Sequence, residues 1–419
     1  MTAIGWRNAM VLLVPLVWLT AAQGQTASGP LTIEQVVARF LDRNLTVEAA
    51  RHRVDVARAE QIAARLYPNP TLILSAENLK FAGPTPTAEL YEFGAVYSQP
   101  IEWADKRRYR LEVADASVAV ADAQLAETLA ERLRDVKRAF YETAQAQQAF
   151  DYARENRLAF DALVSTSEAR FKEGALAEGE VLKVRLERAR FDTVIGQADV
   201  VLRQAGIRLL DLLGETDFSG AGAVIADPVL PPIALPDVAT LKTEAAQQRP
   251  SVRAADNAVR LAERKLALER ARNTADVAPY LGLKQVGENS TVLLGIAIPL
   301  PFMDRNQGGI ARAAAEERVA RTELALRKNR VFADVEAAYQ ALESARARVR
   351  SFETNLLRQA DESRAIALRA YEEGAIELLA YLDAQRTRAD IRHQYLQTVF
   401  DAWVALITLE YAVGRELGR

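Results

Sequence analysis

The chain has 419 residues, of which 26% are charged, and its formal net charge of −3 carries no excess that points to nucleic acid. It has no cysteine, which excludes disulfides, thiolate metal sites and cysteine catalysis and argues against a lipid-modified N-terminal cysteine; its two histidines are His52 and His393. Half the residues are apolar but only 7% are aromatic, and the excess of Ala with Glu, Arg and Leu is the composition of long helices.

Residues 1–24 read as a secretory signal: Arg7 in the basic segment, the apolar core "AMVLLVPLVWLTAA", and small Ala22 and Gly24 before a cleavage point. An uncleaved anchor helix is the other reading. Beyond it no run of about 18 apolar residues is seen, so no later membrane-spanning helix is expected. A first short helix begins in "LTIEQVVARFLDRN", where Thr32 and Gln35 have capping-box spacing. A second covers about 46–66, and the prolines of "YPNPTLILSAENLK" end it. There the period changes to two, with Leu72, Leu74 and Ala76 on one face. In "YEFGAVYSQPI", Tyr91, Phe93, Ala95 and Tyr97 likewise share a face. From Asp105 to about Lys172 no proline interrupts, which predicts one helix of roughly 100 Å. It breaks at Gly174 and returns as a helix of about 35 residues.

The second half repeats the first. "RFKEGALAEGEVLKVRLERAR" matches "AYEEGAIELLAYLDAQRTRAD" with a shift of 200, pairing Phe171 with Tyr371, Gly174 with Gly374 and Gly214 with Gly414. Upstream, Val136 and Phe140 pair with Val335 and Tyr339 at a shift of 199. "VEAARHRVDVARAE" from Val47 resembles "VRAADNAVRLAERK" from Val252. The second half has its own hairpin, "PYLGLKQVG" and "TVLLGIAIPLP", and a proline-free helix from Asn306 to about Glu372. The expected layout is a signal at 1–24, repeats at 25–214 and 237–419, and a proline-rich linker at 215–236. Membrane hairpins are placed at about 71–101 and 279–301, with strands near 71–79, 91–101, 279–286 and 291–301; tips are placed at about 172–180 and 372–380.

Four strands with apolar, partly aromatic faces cannot close a barrel, and open edges cannot sit in lipid. Three copies would supply twelve strands. "IPLPFMDRNQGGIARA" and "SQPIEWADKRRYRLEVADA" then mark the level at which a membrane strand becomes a helix in water.

At these residues the chain resembles the TolC-like outer-membrane efflux channels, or outer-membrane factors. "YPNPTLILSAEN", "SQPIEWADKR" and "IPLPFMDRNQGGIARA" are most similar to the CzcC-type, heavy-metal branch. The resemblance spans essentially the whole mature chain. It implies a mainly α fold with a small β part: a homotrimer with an α-barrel and a shared twelve-stranded β-barrel in outer-membrane lipid. It also implies a passive duct docked on a periplasmic adaptor and an inner-membrane pump of the RND type, with no cofactor. The family's gate pattern falls on Tyr371, Glu180 and Asp383, close to the turns at Gly174 and Gly374, and implies a Tyr371–Glu180 hydrogen bond and a ring of Asp383 carboxylates. Ala380 stands where the family carries the nearer acid, and Lys183 stands nine residues after Gly174, so one acidic ring is lost.

Other readings stay open. The exported material could be drugs, or a polypeptide in a one-step secretion system. A non-porous coiled-coil envelope protein would explain the helices but not the two hairpins. An enzyme has little to work with: His52 and His393 read as helix-surface residues, and Lys106, Arg107 and Arg108 as solvated or interfacial charge. Once the signal is removed only Met303 offers a soft ligand, so metal selection is expected in the pump.

Overall fold

The computed structural model describes residues 30–79, 82–84, 91–221 and 234–417. The signal reading of residues 1–24 and residues 222–233 of the linker lie outside the described residues. Among these, helices α1 (Ile33–Arg43) and α2 (Leu45–Arg65) precede strands β1 (Thr71–Glu77) and β2 (Glu92–Ser98). Helix α3 (Lys106–Lys172) runs 67 residues without a break, and α4 (Glu178–Leu212) returns along it. The order then repeats with α5 (Val238–Gln248), α6 (Pro250–Ala271), β3 (Ala278–Val286) and β4 (Asn289–Ala297). It ends with α7 (Gln307–Ser351), α8 (Leu357–Glu372) and α9 (Leu378–Val413).

Local chemistry sets these boundaries. The Thr32 hydroxyl accepts from the Gln35 N–H at 3.4 Å and the Gln35 side chain accepts from the Thr32 N–H at 3.3 Å, closing the capping box of α1. Strand β2 stops at Ser98, short of the expected 101, because Pro100 has no N–H for the ladder. One further bridge joins Ile101 to Val277. Strand β4 stops at Ala297 for the same reason, with Pro299 and Pro301 ahead. Between β3 and β4 lie only Gly287 and Glu288, and Gly287 supplies the positive φ of 52°.

The long helices lie side by side. Helix α3 packs against α2, α4, α6 and α9, and α7 against α5, α6 and α9. No long helix could fold alone, because its stability comes from a neighbour along its apolar stripe. The main core sits at the waist, where Val36 and Phe40 of α1 and Leu241 and Ala245 of α5 enter one turn apart. They meet Val136 and Phe140 of α3, Val331, Val335 and Leu342 of α7, and Leu406 and Leu409 of α9. Trp403 stacks on Tyr141 there at 4.0 Å between centroids. By length and composition α9 alone among the described helices could cross a membrane, but over half of its apolar window is buried within the protein, so it is a core helix.

The second long helix departs from the single uninterrupted helix read from its lack of proline. A π-turn at Phe352–Leu356 separates α7 from α8, whereas α3 is continuous. Buried positions explain why. Ahead of the π-turn Val136, Ala139 and Ala146 correspond to Val335, Ala338 and Ala345, a shift of 199. Beyond it Phe160 corresponds to Ala360 at a shift of 200. The second half thus carries one extra residue, and a wider turn absorbs it so that the faces beyond stay in phase. Phe352 packs on Tyr395 of α9 with centroids 6.1 Å apart, and the Tyr395 hydroxyl lies 3.1 Å from Glu353 Oε1.

Candidate functional site: exposed sheet, crossings and helical tip

The four strands form one antiparallel sheet in the order β1-β2-β3-β4. Residues paired across a sheet share a face. The register places Leu72, Tyr97, Leu281 and Leu294 in one row. The row of Leu74, Ala95, Leu283 and Val292 lies on the same face. This face is apolar yet uncovered: Leu74 is 72% and Leu294 74% exposed. The opposite face holds Ser75, Gly94, Lys284 and Thr291 in one row and Glu77, Glu92, Val286 and Asn289 in another. Lys284 pairs there with Glu92. Gly295 on that face leaves room for the Tyr280 ring, whose far end lies 2.2 Å from where a Cβ would stand. That face also carries the row of Ile73, Val96, Gly282 and Leu293, so it is mixed, with the charged side chains of the sheet gathered on it. A sheet apolar on one side, mixed and charged on the other and unpaired along β1 and β4 among the described residues suits a wall segment between lipid and an aqueous lumen.

Two crossings join sheet to long helices. Asp105 (φ 57°) and Asn306 (φ 56°) each precede a long helix in the left-handed conformation, which short polar side chains tolerate. The Asn306 amide donates to the Glu269 carbonyl at 2.8 Å and to Glu269 Oε2 at 2.7 Å, and the Asn306 N–H donates to Asp304 at 2.8 Å. At the other crossing Lys106 is buried, not solvated, with its ammonium 2.7 Å from Asp276. That bond ties the start of α3 to the chain entering β3, a link between distant segments that sequence spacing does not reveal.

At the far end the two hairpins turn alike. Gly174 and Gly374 both have φ of 76°. The Gly174 N–H donates to Phe171 and that of Ala175 to Arg170; Gly374 and Ala375 repeat the pair with Tyr371 and Ala370, at 2.7–3.0 Å. This is a Schellman-type helix end, in which only glycine takes the left-handed position without strain. Phe160, Val184, Tyr371, Leu378, Tyr381 and Leu382 pack into one small core that binds the two tips together.

That core relocates one candidate. Tyr371 is 7% exposed, its hydroxyl has no hydrogen-bond partner, and its ring lies 5.9 Å from Tyr381 and nearly parallel to it. Within the protomer the implied bond to Glu180 is not made: apolar neighbours draw the ring into the tip core. Glu180 sits half-exposed in the first turn of α4, and Asp383 is exposed near the start of α9.

Sequence reasoning missed a buried polar relay above the tip. Gln385, 2% exposed, donates to Asn156 at 3.0 Å and accepts from Arg364 at 2.9 Å, joining α9, α3 and α8. Amides at core positions carry no periodic signal, since they read as surface residues until the packing is known. Nearby, Asp161 accepts from Arg188 at 2.9 Å, and that bond holds its carboxyl below the ordinary range. His52 is exposed beside Glu48 and Asp55, and His393 is exposed at the rim of a groove between α3, α4 and α9.

Comparison with known proteins gives one picture. The sequence profile described as "Outer membrane efflux protein" matches residues 36–215 and 241–415. The cobalt-zinc-cadmium resistance protein CzcC of Cupriavidus metallidurans is 26% identical over 391 residues, covering 93% of this chain and 91% of that one. The nickel-cobalt-cadmium resistance protein NccC of Alcaligenes xylosoxydans is 26% identical over 332 residues, covering 75% and 70%. The solved structure of CusC, described in terms of transmembrane channel formation, superposes with a TM-score of 0.76 at 18% identity over 99% of both chains.

Proposed function

The chain belongs to the outer membrane efflux protein family, and from that premise we propose that it is a homotrimeric duct for heavy-metal cations served by an RND-type pump. It is an outer-membrane channel component extending into the periplasm, a passive conduit and not an enzyme. Membership implies a trimeric channel that works with a periplasmic adaptor and an inner-membrane pump. The carrying observation is the sheet, which lays rows of leucine, valine and aromatic side chains along one uncovered face between two edges unpaired among the described residues, with its charged side chains on the other face. Three copies of four strands close those edges into one barrel of twelve. Leu182 and Leu186 on α4, and Val319, Leu326 and Ile366 on α7 and α8, are exposed apolar side chains that support lateral packing of copies.

The substrate reading rests on CzcC and NccC, whose names carry cobalt, zinc, cadmium and nickel. Selection belongs to the pump, since two histidines and Met303 are the only nitrogen or sulfur ligands past the signal. We assign Gly174 and Gly374 to the tip turns, and Tyr371, Glu180 and Asp383 to a gate there. In this assignment Tyr371 acts through packing and Asp383 through its exposed charge, repeated in three copies. Cells lacking the chain, supplied with its pump and adaptor, should lose tolerance to cobalt, zinc or cadmium and regain it with the wild-type gene. Unchanged metal tolerance with altered drug tolerance would replace the substrate assignment. In planar bilayers Asp383→Ala should lower cation preference; unchanged selectivity would remove Asp383 from the gate.

A further inference from the structure

The crossing at the end of β4 holds a groove of about 790 Å³ that neither the duct nor its gate uses. The apolar alternation of β4 continues past the ladder through Ile298, Leu300 and Phe302, all exposed, and Met303 is 92% exposed beside them. Directly below, Arg272, Arg305 and Arg312 line the same groove. The acids there serve the turn: Glu269 accepts from Asn306 at 2.7 Å and from Arg272 at 2.5 Å, and Asp304 accepts from the Asn306 N–H. Arg305 uses only its Nε, 3.3 Å from the Pro301 carbonyl, and Arg312 has Glu316 no closer than 3.8 Å. Their terminal guanidinium nitrogens have no acceptor among the described residues, so donors in a fork remain for a tetrahedral anion. The first crossing also sets a basic side chain beside exposed aromatics. Trp103 and Tyr67 are exposed, and the Arg107 guanidinium lies 4.4 Å over the Tyr67 ring.

We propose that this groove binds an anionic phospholipid of the leaflet on the helical side of the membrane, its phosphate on Arg305 and Arg312 and its acyl chains along Leu300, Phe302 and Met303. The apolar wall selects a lipid over free phosphate, and it is continuous with the lipid-facing side of the sheet. The proposal rests on the membrane placement of that sheet, so the test separates the two. Delipidated trimer in detergent is titrated with phosphatidylglycerol or phosphatidylethanolamine and read by native mass spectrometry. Phosphatidylglycerol should bind more tightly, and the preference should fall about fivefold for each arginine removed in Arg305→Gln and Arg312→Gln. Arg327→Gln, about 30 Å along α7, should leave it unchanged. Equal binding of the two lipids, or a preference that survives the double variant, overturns the proposal. Phe302→Trp on a Trp103→Phe background, in bilayers with brominated acyl chains, reads placement independently: quenching with no lipid preference defeats the groove alone. No quenching defeats both the groove and the membrane reading.

Discussion

Deleting Thr354 should leave the tip in place, whereas deleting Asp151 should wreck it. Both residues are exposed and, at the shift of 199–200, lie within about one turn of each other on the two long helices. Thr354 sits inside the π-turn and its hydroxyl bonds only the Arg350 carbonyl, at 2.8 Å. Removing it lets the segment close as a regular α-helix, with every residue beyond keeping its face. Asp151 sits in an α-helix with no extra residue to lose, so its removal turns everything beyond by about 100° and draws it back about 1.5 Å. Phe160, 3% exposed, leaves the tip core, at a cost of about 3–5 kcal/mol. Asn156 leaves Gln385, and stranding that buried relay adds about 1–3 kcal/mol. The Thr354 deletion should cost under about 1 kcal/mol, the value of a surface hydrogen bond. Limited proteolysis of the detergent-solubilised trimer, with cleavage mapped near residues 170–180 and 370–380, reads the difference. Equal sensitivity of the two deletions, or an intact tip without Asp151, would refute the one-residue insertion.

Leu342→Ala, at a fully buried waist position, should destabilise by about 2–5 kcal/mol in thermal unfolding followed by circular dichroism. Tyr371→Phe should be neutral or stabilising by up to about 1–3 kcal/mol, because it removes a buried hydroxyl without a partner; a loss of stability would show that the hydroxyl finds an acceptor in the trimer. Burial, with Glu410, Glu34 and Glu416 nearby, pushes the Tyr141 phenol above its ordinary value of 10.0. A folded-state pKa above the unfolded one means that this contribution is whole below about pH 10 and is lost as pH rises further. Burial pushes the Tyr411 phenol up as well, so absorbance at the phenolate band should show a late-titrating fraction to which both contribute, and Tyr141→Phe should reduce that late amplitude.

The elements and their kind can be read from the letters. Period-two stretches around Leu72–Ala76 and Val292–Ile298, the proline-free run to Lys172, and the glycines at 174 and 374 each act over a few residues of local backbone, so they are legible without the fold. The helix–hairpin–helix order written twice pointed to the family. Even the change of shift from 199 to 200 was present in the letters, though not its consequence. Whatever required distant partners emerged with the packed chain. The register across β2 and β3 fixed which strand faces coincide, because no local rule aligns strands whose sequences lie some 180 residues apart. Packing put Tyr371 against Tyr381 and away from Glu180, buried Lys106 on Asp276, and set Gln385 between Asn156 and Arg364. A polar side chain looks the same in sequence whether water or a neighbouring helix satisfies it, and the choice is made by desolvation, which depends on what the whole chain brings alongside.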